Sequence, residues 1–219
     1  MANGLPLILL SGMAADERLF EPQLREFPNL TVQPWIEPLH RESLRAYAAR
    51  LARIVDPGQP CFVGGASFGG LVALEMAAHL RAEACFLIGS VRSSDELPWQ
   101  WRVFRLIAPI VGPEHINTLA GTAARVGSPM LSRGTIRRMR KLAAPRAAFV
   151  RWACWAVVRW RPSPAARRVR VLQIHGAADR VLPVARTRPD MIVPYGAHAL
   201  TLSHPRAVND FLRAGMSRV

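Results

Sequence analysis

Two alternating periodicities constrain this chain more than any other feature. Short apolar runs lie at Leu5–Leu10, Thr31–Ile36, Cys61–Gly65, Ala84–Gly89, Arg170–Ile174 and Met191–Val193, each bounded by Gly, Pro or Asp. Helix-period segments lie between several of them. Leu44, Tyr47, Ala48, Leu51 and Val55 fall on one helical face, with Arg45 and Arg53 elsewhere. Phe68 to Leu80 is apolar nearly all round, as a helix buried against a sheet would be, and Pro205 opens a last helix with Val208, Phe211 and Leu212 on its inner side. Continuous apolar runs are strands buried on both faces, and such strands join in parallel through crossover helices. The expected fold class is α/β, with about six mainly parallel strands and flanking helices.

The alternation stops between about Ser93 and Pro164, where helix-like pieces are broken by Gly112-Pro113, Gly127-Ser128-Pro129 and Pro145. Residues 1–92 and 165–219 therefore read as one core, and residues 93–164 as a helical cap inserted in it. Leu5–Leu10 is preceded by no basic residue and reads as a buried strand, not a secretory segment. Cys61, Cys85 and Cys154 form an odd set without metal-ligand spacing. The expectation is a cytoplasmic protein with neither disulfide nor metal.

Gly65-Ala66-Ser67-Phe68-Gly69 satisfies G-x-S-x-G at the junction of a strand and a helix, where the motif has mechanical meaning. Glycines admit the sharp turn, and the serine hydroxyl is left projecting at a helix N-terminus that favours developing negative charge. Such a hydroxyl needs a base, and the base needs a carboxylate to orient it. Asp179 lies in the loop after the fifth run, within His175-Gly176-Ala177-Ala178-Asp179, and His198 follows the last run in Tyr195-Gly196-Ala197-His198. His204 competes for the role of base, but it directly precedes Pro205. His175 reads as structural. The turn Ser11-Gly12-Met13 after the first run and the start of the helix after Ser67 assign oxyanion donation to the backbone amides of Met13 and Phe68.

Ser67, Asp179 and His198 in that chain order, the H-G-x-x-D-x-x-x-P stretch and the G-x-H resemble the α/β-hydrolase superfamily, in particular its small capped bacterial serine esterases. The resemblance spans nearly the whole chain. It implies a carboxylic-ester or thioester hydrolase that works through an acyl-enzyme and needs no cofactor, with a small-molecule ester as substrate. It also admits an acyltransferase, an esterase or thioesterase for substrates on an acyl carrier protein, and a non-catalytic binding or signalling member. Two positions depart from the family pattern: Ser11-Gly12 stands where His-Gly is common, and Ala197 replaces the second glycine of Gly-Gly-His.

Charge and aromatics mark the insertion. The formal net charge is +14, and the stretch from Arg92 to Arg170 alone holds sixteen Lys and Arg against three acidic residues. Phe149, Trp152, Ala153, Ala156 and Trp160 recur at helical spacing, and Phe149, Trp152 and Trp155 are expected either to line a substrate channel or to pack the cap on the core. Arg137 and Arg138 belong to a basic run that reads as a solvated face or as a dock for an acidic acyl carrier protein, similar to the basic cap of pimeloyl-carrier methyl esterases. An anionic membrane surface is a third reading, resting on the mixture of Trp and Arg. Nucleic acid is not expected, because no binding signature accompanies the charge.

Overall fold

The computed structural model describes residues 4–13, 15–99 and 147–218. Trp101, Arg137 and Arg138 lie outside them. Six strands form one sheet: β1 (Leu7–Leu10), β2 (Leu30–Gln33), β3 (Cys61–Ala66), β4 (Ala82–Ile88), β5 (Val171–Gly176) and β6 (Met191–Val193). Their order is β2-β1-β3-β4-β5-β6, and every pairing is parallel. Strand order reverses direction between β1 and β3, the position at which open parallel sheets leave a crevice beyond their carboxyl ends.

Alternation along each strand sends side chains into two cores. The first helix, α1 (Glu21–Glu26), is short. Ile8, Leu10, Val63, Cys85 and Leu87 face one side, where they meet α2 (Leu44–Val55), α3 (Phe68–Ala77) and α4 (Ala147–Arg159). Leu7, Leu9, Phe62, Phe86 and Ile88 face the other, where Val208, Phe211 and Leu212 of the terminal helix, Pro205–Met216, cover them. Ser43 caps α2 by accepting from the Ala46 amide at 3.2 Å, which satisfies one of the free donors at the helix start. The third helix has no polar face, in keeping with its burial behind the sheet.

The described part of the insertion is not a separate layer, because α4 enters the same core as α2 and α3. Its anchor is Glu75, wholly buried on α3. One carboxylate oxygen accepts from the Trp160 indole and from the Ser163 amide, both at 2.9 Å. Trp152 is satisfied in turn by donating to the Glu42 carbonyl at 2.8 Å.

Candidate active site

Ser67 sits between β3 and α3 at φ 52° and ψ −120°, a left-handed backbone that costs about 1–3 kcal/mol and persists only where its surroundings enforce it. The enforcement is visible. A Cβ on Gly65 would lie 2.4 Å from the Gly69 backbone, and one on Gly69 would lie 2.3 Å from the carbonyl oxygens of Leu10 and Ser11. Only two glycines let the elbow close this tightly against the end of β1. The Ser67 carbonyl is held by the Ser90 hydroxyl at 2.7 Å and the Gly70 amide at 3.0 Å.

Two loops bring the remaining groups to the serine. The turn after β5 is stapled to the end of β6 and the segment beyond it by bonds from the Ala177 amide to the Val193 carbonyl and from the Ala178 amide to the Gly196 carbonyl. Gly176 packs so closely on Gly196 that a Cβ would come within 2.2 Å of its carbonyl oxygen. Asp179 and His198 are thereby neighbours. His198 Nδ1 lies 2.8 Å from Asp179 Oδ2, and His198 Nε2 lies 2.9 Å from Ser67 Oγ. A carboxylate only accepts, so the ring proton is on Nδ1 and the Nε2 lone pair faces the serine hydroxyl.

Asp179 is buried, and its oxygens are fully used. Oδ1 accepts from the Val181 and Leu182 amides at 2.8 and 2.9 Å, and Oδ2 lies 3.3 Å from His175 Nε2 as well as close to His198. Burial alone would raise the carboxyl, but the bonds from His175, His198 and Leu182 outweigh it and hold Asp179 well below the usual carboxylate range. It is ionised at every pH at which the protein would work. His175 Nε2 also lies 2.6 Å from the Leu182 carbonyl, so that nitrogen carries the proton. His204, the alternative base, faces the Ser203 hydroxyl at 2.9 Å.

The amide of Met13 and the amide of Phe68 make no hydrogen bond among the described residues. Both are unspent donors close to the elbow, since Gly69 packs directly on the end of β1 that leads into the Met13 turn. Phe149 packs on Phe68 and Tyr47, while Trp152 and Trp155 are only 3% and 6% exposed, so little of either ring is left to meet a substrate. Burial pushes the Cys61 and Cys154 thiols up to about 11 each, and no group of three His, Cys, Asp or Glu among the described residues is set to hold a metal.

Two contributors carry no signature in the sequence, Ser90 and Trp35, and a third, His175, carries only a weak one. Ser90 and Trp35 act on backbone carbonyls remote in the chain, and His175 shares the Asp179 carboxylate with His198. The i, i+4 spacing of His175 and Asp179 was the one available signal for the last.

Similar architecture recurs in solved structures. A thermophilic esterase from Thermogutta terrifontis superposes with a TM-score of 0.68 at 20% identity, over 98% of this chain and 90% of that one. The enol-lactonase from Burkholderia xenovorans gives 0.67 at 16%, over 97% and 92%. An epoxide hydrolase found in metagenomes from hot environments gives 0.63 at 14%, over 99% and 92%. At these identities the likeness is one of fold. No curated protein sequence matches the chain. The model of the alpha/beta hydrolase family matches residues 9–211, nearly the whole length, and the chain belongs to that family.

Proposed function

We propose that the protein hydrolyses a carboxylic ester through an acyl-enzyme. The observation that carries this reading is the unbroken relay from Asp179 through His198 to Ser67, at 2.8 and 2.9 Å, ending on a serine held at positive φ. Ser67 Oγ attacks the ester carbonyl carbon while its proton passes to His198 Nε2. The carbonyl oxygen takes the negative charge and meets the Met13 and Phe68 amides. Collapse breaks the carbon–oxygen bond to the alcohol, which leaves with the proton from His198. Water then repeats the sequence on the acyl-enzyme and releases the acid. A serine at the elbow favours acyl chemistry on esters, thioesters or lactones over direct epoxide opening, which calls for a carboxylate nucleophile.

A fluorophosphonate is expected to modify Ser67 alone, read by mass spectrometry of the digested adduct. Ser67→Ala is expected to lose at least about a thousandfold in kcat on a short p-nitrophenyl ester. Undiminished turnover by Ser67→Ala, or labelling at another serine, overturns the mechanism.

A further inference from the structure

We infer that Trp35 is a positioning residue for the oxyanion donor at Met13, acting through the plane of the Gly12–Met13 peptide. The inference rests on the acyl-enzyme reading above. A trans peptide points its carbonyl and its N–H in opposite directions, so whatever fixes one aims the other. The chain has no cis peptide among its described residues. Trp35 Nε1–H donates to the Gly12 carbonyl at 3.3 Å, and the Ala15 amide donates to the same oxygen at 3.1 Å; the Ser11 hydroxyl, which donates to the Ala15 carbonyl at 2.7 Å, stands farther off at 3.5 Å. Two donors on one face of the peptide hold its plane, while the Met13 N–H on the opposite side makes no bond among the described residues. Donation to the carbonyl also polarises the unit and strengthens its free N–H as a donor.

Trp35 is itself fixed. It follows Pro34, which lacks the N–H that another sheet rung would need, so the chain leaves β2 there and turns across the carboxyl ends of the strands. The next residue, Ile36, is clamped by the buried Tyr47 hydroxyl, which accepts from the Ile36 amide at 3.1 Å and donates to its carbonyl at 3.0 Å. Burial pushes the Tyr47 phenol well up, which keeps the proton it donates. The indole then packs on Phe68, with ring centroids 5.4 Å apart, and on Phe149, 5.1 Å apart. One side chain therefore braces the turn carrying the first proposed donor and the residue whose amide is the second.

The test removes the N–H and keeps the ring. Trp35 is replaced by benzothienylalanine, which has sulfur in place of the indole nitrogen, and separately by Phe. Each variant is assayed on a short p-nitrophenyl ester and with an arylboronic acid, whose tetrahedral adduct on Ser67 mimics the charged intermediate. The expected result is a fall in kcat of about tenfold, a matching rise in the boronate inhibition constant, and a KM within about twofold of wild type, because the donor acts on developing charge and not on the bound ester. Unchanged kcat and boronate affinity in the benzothienylalanine variant overturn the inference. So does a loss shared by KM and kcat with a lowered Tm, which marks a packing role. Ser67→Ala, run beside them, separates the two levels. Turnover retained there overturns the acyl-enzyme reading itself, whereas an inactive Ser67→Ala with a wild-type benzothienylalanine variant overturns the role of Trp35 alone.

Discussion

Asparagine at position 179 tests the proton inventory of the site most sharply. Asp179 Oδ1 serves the Val181 and Leu182 amides, and Oδ2 serves His198 and His175. Asparagine offers one oxygen and one NH2 group, so only one side can keep an acceptor. Turning the NH2 toward the loop would leave two buried amides facing donors, at about 1–3 kcal/mol each. The oxygen therefore stays with the loop and the NH2 faces the imidazoles. His198 must then present a lone pair at Nδ1, its proton moves to Nε2, and the ring donates to Ser67 Oγ instead of accepting from it. The fold survives and proton transfer fails. The expected loss in kcat is on the order of 10³–10⁴-fold with KM little changed. Steady-state kinetics measures this, and the ring-nitrogen chemical shifts of His198 report the tautomer. A kcat within tenfold of wild type, with the proton still on Nδ1, refutes the reasoning. A second arm uses pH. Because the native carboxyl is held below its ordinary value, its stabilisation is complete above about pH 4 and is lost as pH falls through the native value. The Tm advantage of wild type over Asp179→Asn should hold near neutrality and narrow on acidification below about pH 4.

Gly69→Ala forces a Cβ to 2.3 Å from two backbone oxygens that no side-chain motion can relieve, so it should cost about 1–3 kcal/mol in urea unfolding and most of the activity; wild-type turnover would show that the elbow does not need this contact. Glu75→Gln keeps an acceptor for Trp160 and Ser163 and should move the urea midpoint little, whereas Glu75→Leu orphans two buried donors at about 1–3 kcal/mol each. Equal shifts in the two variants would mean that the charge, and not the paired bonds, anchors α4.

The centre of the sheet was legible because β1, β3 and most of β4 are buried on both faces and therefore continuously apolar, whereas the edge strands β2 and β6 expose Thr31 and Ile192. The errors sit where a backbone group overrides composition. Thr31–Ile36 reads as one run, yet β2 ends at Gln33 because Pro34 has no N–H to give the ladder. The grouping of Ser67, Asp179 and His198 was legible for a different reason: close backbone approach demands glycines, and strand ends fix which loops can meet. The stripe that begins with Phe149 and Trp152 illustrates the limit. Helical spacing reports that a face is covered without saying by what, and here the cover is Tyr47, Phe68 and the core of the sheet. Arg137 and Arg138, the residues expected to form a carrier dock, fall outside the described residues.

Backbone donors explain how the first turn could change its side chain and still supply the oxyanion donor that the proposed mechanism asks of it. An amide has no residue identity, so what selection can act on is whatever orients it. In this chain Ser11 takes the position where the family commonly has histidine, and its hydroxyl donates to the Ala15 carbonyl at 2.7 Å, closing the turn on itself. The Gly12 carbonyl takes its two closer donors from elsewhere, the Trp35 indole and the Ala15 amide, while the Ser11 hydroxyl stands 3.5 Å from it. Closure of the turn thus rests mainly on Ser11, and the contact on the Gly12 carbonyl that comes from outside the turn is the Trp35 indole. A change at Ser11 should loosen the turn while Trp35 still fixes the plane, and a change at Trp35 should free the plane within a turn that stays closed. The departure from the family pattern at residue 11 is therefore compatible with an intact pair of oxyanion donors, provided that Trp35 is present.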